Sequence, residues 1–359
     1  MKRLFQLTFT AIAIGTLSLV IAACGDTALL DDIADRVEAS DSRNDDSNVD
    51  PAVDPASSWT GKSLVPLAMG SGGAGAYGTI GGKPVFMAVY GDTYYFNKSV
   101  SSSNGIDWIS SSLPSSEGWR SIAYGNDCFI AVSVGIRDWS NPSSVVTNPT
   151  TAGAYSTNGS SWTANIMPSG KWTAVCYDQS NNRFVAVSEE STSAYSSNGT
   201  TWTSGGTVII SPTAMASGGG KLVAIRNGST ATSISADGGN SWSSGGSLPS
   251  AAVSSRIAYG NGKFVSVGGV TDSAAVSSDG SSWTTVTLPS SGYWTSLAFG
   301  NGLFMAISSD TQKAIVSSNG SSWLQYDLPA HPNGNTYSIA LCGGGVFVAL
   351  GLQWVATSP

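Results

Sequence analysis

Ser277-Ser278-Asp279-Gly280-Ser281-Ser282-Trp283 is a polar turn that runs into one large aromatic residue, and close copies of it recur along the chain. The others are Ser102-Ser103-Asn104-Gly105 with Trp108, Ser156-Thr157-Asn158-Gly159 with Trp162, Ser196-Ser197-Asn198-Gly199 with Trp202, Ser235-Ala236-Asp237-Gly238 with Trp242, and Ser317-Ser318-Asn319-Gly320 with Trp323. From Trp162 onward the tryptophans are spaced by 40, 40, 41 and 40 residues. A period near 40 built from strand-like segments points to propeller blades, since the ankyrin-like periods are helical. Asn-Gly and Asp-Gly suit tight hairpins because a type I′ turn needs positive φ at both central residues.

Working outward from the turn, four strands fill one repeat. Trp294 to Phe299 alternates as a first strand, Gly300-Asn301-Gly302 turns into Phe304 to Ile307, Ala314 to Ser317 is a third, and a fourth starts at Trp323. The second strand recurs as Phe86–Val89, Phe129–Val132, Phe184–Val187, Leu222–Ile225, Phe264–Val267, Phe304–Ile307 and Phe347–Leu350, which makes seven. The turn with its tryptophan occurs six times, and the missing fourth strand is found at the other end, where Ser57-Ser58-Trp59-Thr60 matches Ser281-Ser282-Trp283-Thr284. The expectation is all-β: a single seven-bladed β-propeller of four-stranded antiparallel blades over residues 57–359, closed by the strand around Trp59 joining the last blade. Closure of that kind removes exposed sheet edges. Trp59, Trp108, Trp162, Trp202, Trp242, Trp283 and Trp323 are expected to be structural.

The repeated turn resembles the Asp-box (BNR) repeat, Ser-x-Asp-x-Gly-x-Ser/Thr-Trp, of sialidase-like propellers. Ser235-Ala236-Asp237-Gly238-Gly239-Asn240-Ser241-Trp242 fits it fully, and the other five copies are one residue shorter, often with Asn for Asp. The resemblance implies architecture, because an Asp-box sits on the outer hairpin of a blade and serves folding, and one fold hosts many functions. A sialidase resemblance would also imply an arginine triad. The arginines of the body are Arg120, Arg137, Arg183, Arg226 and Arg256, none of them in an Arg-Ile-Pro type of motif, so the chain is not read as a sialidase.

Composition agrees with an exported β-rich chain. Only 11% of the 359 residues are charged, while Gly reaches 43 and Trp 12, a mixture unlike a coiled coil or a helical bundle. The formal charge of -7 is concentrated between Cys24 and Ala56, which hold ten acids and two arginines, and the body is left close to neutral. A neutral body has no basic footprint for phosphate backbones, so nucleic acid is excluded as a partner.

At the start, Lys2-Arg3 precedes an uncharged run from Leu4 to Ala23 that ends in Ile21-Ala22-Ala23-Cys24. This resembles the bacterial lipobox, which implies a lipoprotein signal peptide over 1–23 and acylation of Cys24; an uncleaved anchor or a secretory signal is the alternative. Residues 24–56, with Asp31, Asp32, Asp35, Asp41, Asp45, Asp46, Asp50 and Asp54 and few apolar groups, read as a flexible acidic tether. The expected address is the bacterial cell envelope, at the outer membrane or cell surface.

Chemistry is sparse. Glu189-Glu190 is the one acidic pair of the body and reads as a solvated loop; His331, the single histidine, reads as an exposed loop residue. Gly70-Ser71-Gly72-Gly73-Ala74-Gly75 matches Gly-x-Gly-x-x-Gly formally, but no helix follows and a connector is expected. No cofactor and no metal site is expected. Cys128 and Cys176 belong to neighbouring repeats and either bridge or simply pack.

The asymmetry lies in loop length. From Val187 to Asn198 is 11 positions and from Val267 to Asp279 is 12, whereas Val132 to Asn158 is 26 and Val89 to Asn104 is 15. Both long second-to-third connections fall in neighbouring repeats and on one face, and they carry Tyr94, Tyr95, Phe96, Arg137, Asp138 and Trp139, with Glu189 and Glu190 in the next repeat. Insertions confined to one face of a repeat protein mark a binding side. Three functions fit: a lipid-anchored monomer binding an envelope protein or a glycan through that face; a glycan-acting hydrolase using Asp138, Glu189 or Glu190 as acid and base; or a scaffold.

Overall fold

Asn301 and Gly302 adopt φ of 53° and 75°, the left-handed pair a tight hairpin demands, and the chain reverses there between Thr284–Gly300 and Leu303–Ser308. The same device recurs at Asn126-Asp127, Asn261-Gly262 and Gly344-Gly345. Each reversal joins a first strand to a second strand that is apolar without alternation. Phe304, Met305, Ala306 and Ile307 are all fully buried. A continuous apolar run of that length is what a strand covered on both faces needs.

A computed structural model describes residues 59–64, 73–90, 97–135, 148–331, 334 and 336–358. They lie in the unit Val49–Pro359. Cys24, the acidic segment, Tyr94, Tyr95, Phe96, Arg137, Asp138 and Trp139 fall outside the described residues.

The described chain is all-β, with six antiparallel sheets. A 3-10 turn at Ala251–Val253 is the only helical element among the described residues. Five sheets have four strands; Trp172–Asp178, Arg183–Ser188, Thr192–Ser196 and Thr203–Thr207 form one of them in sequence order. The sixth has seven strands because Thr284–Gly300, 17 residues long, takes part in two ladders. It pairs through Thr284–Thr287 and Gly292–Tyr293 with Val270–Ser277, and through Trp294–Gly300 with Leu303–Ser308. At the other end of the unit Thr60–Ser63 pairs antiparallel with Trp354–Ser358, in the register Gly61 to Ala356 and Lys62 to Val355. The sheet formed by the C-terminal strands thus takes its edge strand from the opposite end of the described chain.

First strands also lie against one another in series. Gly73–Ile80 meets Trp119–Gly125, followed by Trp172–Asp178, Ala214–Gly218, Arg256–Gly260, Thr284–Gly300 and Tyr337–Gly343, and the last of these touches Gly73–Ile80. Apolar clusters fill the space between adjoining sheets. One joins Phe86, Val100 and Trp108 to Ile339, Leu341 and Val348 across the first and last sheets.

The repeated turns share the hydrogen bonds of their Ser and Asn or Asp side chains, while the indole partner varies, Trp162 and Trp242 donating instead to the Ser99 and Ser193 hydroxyls. Ser277 Oγ accepts from the Gly280 amide at 2.8 Å, Asp279 Oδ1 accepts from the Ser281 and Ser282 amides at 2.8 Å each, and Trp283 Nε1 donates to the Gly280 carbonyl at 3.1 Å. Asn319 presents the same oxygen to Ser321 and Ser322, which explains why Asn and Asp alternate in the repeat. Among these tryptophans Trp108, Trp242 and Trp323 are buried, while Trp59, Trp162, Trp202 and Trp283 are half-buried. The deepest indoles are others: Trp119, Trp172 and Trp294, each 1% exposed at the start of a first strand.

Three smaller expectations are corrected or resolved. His331 is buried, with Nε2 2.7 Å from the Leu352 carbonyl and its ring against Trp354, so it closes a loop over the last sheet. Gly73 and Gly75 belong to a strand, and a side chain on Gly75 would collide with Leu341 and Ile339 of the last sheet. Cys128 and Cys176 are not bridged.

Candidate functional site

Every first strand runs from the end of the unit where sheets and second-to-third strands are connected, the loop end, to the end where the hairpins lie. The two ends of these strands carry different chemistry.

Toward the hairpin end, five of the seven first strands finish on Gly and a sixth, Gly73–Ile80, has Gly78 two positions before its end, preceded in most by an aromatic residue: Tyr77-Gly78, Tyr124-Gly125, Tyr177-Asp178, Ser217-Gly218, Tyr259-Gly260, Phe299-Gly300 and Cys342-Gly343. The spacing makes each aromatic ring lie on the glycine of an adjoining first strand. Tyr124 covers Gly78, Tyr177 covers Gly125, Tyr259 covers Gly218, Phe299 covers Gly260 and Tyr77 covers Gly343; a Cβ on any of these glycines would overlap the ring. Each ring is also braced within its own sheet by a phenylalanine, as in Tyr124 with Phe129 at 4.9 Å and Tyr259 with Phe264 at 4.7 Å between centroids. Edge-tilted pairs of that kind add stabilisation beyond the area they bury.

Two positions depart from this collar. Cys342 lies on Gly300, and Ser217 faces Asp178, whose carboxylate Oδ1 accepts a long hydrogen bond from Ser217 Oγ at 3.5 Å. Asp178 is buried, and its other acceptor capacity is used by the Ser180 amide at 3.1 Å and Asn181 Nδ2 at 2.8 Å. With a carboxylate where the other sheets have Gly, a ring at position 217 would have no room. Beside this gap lies a cavity of about 490 Å³. Tyr124, Tyr177, Tyr259, Gln179, Ser180 and Ser217 are among its walls.

At the loop end three first-strand ladders begin at a buried tryptophan, Trp119, Trp172 and Trp294, and the residues beside these starts differ from strand to strand. Arg120 and Arg256 stand near the starts of Trp119–Gly125 and Arg256–Gly260. Burial, and then the like charge of Arg120, pulls the Arg256 guanidinium down to about 10. Arg256 also donates to the Ser255 carbonyl at 2.9 Å. Glu117, 8% exposed, receives the Ser133 hydroxyl at 3.3 Å, and burial raises its carboxyl above the usual range. Glu189 and Glu190 occupy the turn after Arg183–Ser188; both are exposed, and Glu189 is 3.5 Å from Lys171 Nζ. They sit on a solvated turn, as the sequence implied, and are not among the walls of the cavity beside Ser217. Of the residues expected at the binding face, these two are the ones the structure places, and Tyr94, Tyr95, Phe96, Arg137, Asp138 and Trp139 lie outside the described residues. Among the described residues no group of three or more His, Cys, Asp or Glu could hold a metal ion, and no helix is long and apolar enough to cross a membrane.

Glu117 and the collar went unremarked in the sequence, and Arg120 and Arg256 enter it only as arginines outside a sialidase-type motif. The collar left a signal: an aromatic-Gly pair at or near the end of four first strands, altered to Tyr177-Asp178, Ser217-Gly218 and Cys342-Gly343 in the others.

The sequence matches no family model and no curated protein. Solved structures do match by fold. Virginiamycin B lyase from Staphylococcus aureus aligns at a TM-score of 0.67 and 9% identity, covering 84% of this chain and 99% of that one. A streptogramin B lyase aligns at 0.65 and 10% identity, over 83% of this chain and 97% of that one. A structure of YCF48 bound to a D1 peptide aligns at 0.57 and 12% identity, over 84% and 94% respectively. At such identities the likeness is one of fold, and it places this all-β chain beside β-propellers.

Proposed function

We propose that the chain is an exported, lipid-anchored binding protein of the bacterial envelope, a seven-bladed propeller that engages a protein or glycan partner through the loop end of its first three sheets. Seven blades follow if the long strand Thr284–Gly300 is counted as the fourth strand of one blade and the first of the next. Closure is supported by the cyclic run of first-strand contacts and by the pairing of Thr60–Ser63 with Trp354–Ser358. Kinship with Asp-box repeats rests on the turn pattern, and the anchor rests on Lys2-Arg3, the apolar run and Cys24.

The observation that carries the binding role is the order of the sheets. The first strands of the first three sheets are neighbours, so the sheets that bound the two long connections and carry the Glu189-Glu190 turn stand side by side. A rigid frame with extended loops at one end is a common way to present a binding surface. YCF48, a propeller bound to a peptide, makes a protein partner the first to test.

The test compares the wild-type chain with Tyr95→Ala/Trp139→Ala in capture from envelope extracts and on a glycan array. Loss of capture with an unchanged thermal midpoint supports the site; undiminished capture by the folded double variant refutes it.

A further inference from the structure

We propose that the hairpin-end cavity beside Ser217 is a binding site for a neutral saccharide, separate from the loop-end face. The cavity exists because the collar is interrupted. Five first strands put an aromatic ring on an adjoining first strand, and in the fourth the carboxylate of Asp178 and the small side chain of Ser217 replace the glycine and the ring. The space left, about 490 Å³, falls within the roughly 300–1,000 Å³ typical of small-molecule sites.

The walls define the ligand. None of the twelve residues around the cavity is an Asp, Glu, Lys, Arg or His. A charged ligand entering it would lose hydration; an anion would also meet the nearby Asp178 carboxylate, and a cation would find that carboxylate already held by Ser180, Asn181 and Ser217, which selects a neutral ligand. Tyr124, Tyr177 and Tyr259 offer aromatic surface, whose negative faces attract the polarised CH groups of a pyranose ring. Gln179, Ser180 and Ser217 add the donors and acceptors that sugar hydroxyls need.

The site is also held in place before any ligand arrives. The Tyr177 hydroxyl donates to Asn182 Oδ1, and the Tyr124 hydroxyl reaches the Thr79 carbonyl and, at 3.1 Å, Asp127 Oδ1. Phe184 braces the Tyr177 ring at 4.9 Å. Ordering such rings would otherwise be a cost of binding, so their fixed positions favour a weak, polar ligand.

Saturation-transfer NMR on the full-length chain tests the proposal, with glucose, galactose, mannose and N-acetylglucosamine as probes and glucuronic acid and glucosamine as charged counterparts. Transfer to the ring CH protons of at least one neutral sugar, and little to its charged counterpart, is the expected result. Gln179→Ala, on a hairpin turn, should weaken that sugar roughly three- to tenfold with an unchanged thermal midpoint. Asp178→Gly/Ser217→Tyr rebuilds the collar and should abolish the signal, while Tyr95→Ala/Trp139→Ala should leave it intact, which separates this site from the loop end. No transfer from any neutral sugar, equal transfer to charged ones, or full binding by Gln179→Ala and by a folded collar variant would overturn it.

Discussion

At the hairpin end of the first strands one contact is repeated around the described unit, Tyr124 on Gly78, Tyr177 on Gly125, Tyr259 on Gly218, Phe299 on Gly260 and Tyr77 on Gly343, while at the loop end three strands share a buried tryptophan and the residues beside it diverge, with Arg120, Thr173 and Thr295 next to Trp119, Trp172 and Trp294, and Arg256 opening a strand that has none. Both ends belong to the same strands, so backbone geometry is not the source of the difference. The repeated end must pack sheet on sheet at fixed distance, and a glycine is the only residue that lets a ring lie directly on the backbone. The variable end meets the connections between sheets, whose lengths differ, and its side chains are released from that demand. Departures from a packing rule then become informative, and Ser217 with Asp178 is the clearest of them.

Substitutions can break this contrast, beginning with the deepest groups. Trp294→Ala, which removes a fully buried indole donating to the Thr271 carbonyl, should destabilise by about 3–5 kcal/mol in chemical denaturation. Trp283→Ala should cost clearly less, because its ring is half-buried. Equal losses would mean that turn and strand-start tryptophans carry the same load, contrary to their burial.

Next in size is the collar itself. Gly260→Ala places a methyl group in the Phe299 ring and should cost about 1–3 kcal/mol, the range of overpacked cores. A neutral outcome would show that the ring can move aside and that the collar does not set the spacing of the sheets.

The smallest effect belongs to the loop end and depends on pH. Burial raises the Glu117 carboxyl, so its ionised form is less favourable in the folded than in the unfolded chain. Stability is therefore lost as pH rises through the folded value, and Glu117→Gln should raise the thermal midpoint at pH 8. That advantage should vanish as pH falls below the ordinary carboxylate range. A difference independent of pH would assign the effect to packing.

The outer parts of the fold were legible because their signals are local. Ser277 to Trp283 spans seven residues and closes its own hydrogen bonds, and Asn301-Gly302 encodes its own turn, so period, strand order and the pairing of the strand after Trp59 could be read directly. The collar was not legible in the same way, because Tyr124 and Gly78 are 46 positions apart and neither residue alone announces the contact. His331 misled for a related reason. Ala330-His331-Pro332-Asn333-Gly334 has the composition of an exposed turn, yet the imidazole finds the Leu352 carbonyl, 21 positions on. The loop-end candidates were legible as insertions and residue types only. A long loop records its length and content in sequence, while its path depends on contacts that no short pattern specifies.

The proposal that the chain closes into a ring through its N-terminal strand is tested most directly by two deletions measured side by side. Removing Ser57 to Val65 takes away the strand Thr60–Ser63 and exposes the ladder edge of Trp354–Ser358, whereas removing Thr27 to Pro51 takes away part of the acidic segment. The expected result by scanning calorimetry is a large drop in thermal midpoint, or failure to fold, for the first deletion and little change for the second. The same midpoint for both would contradict closure by this strand.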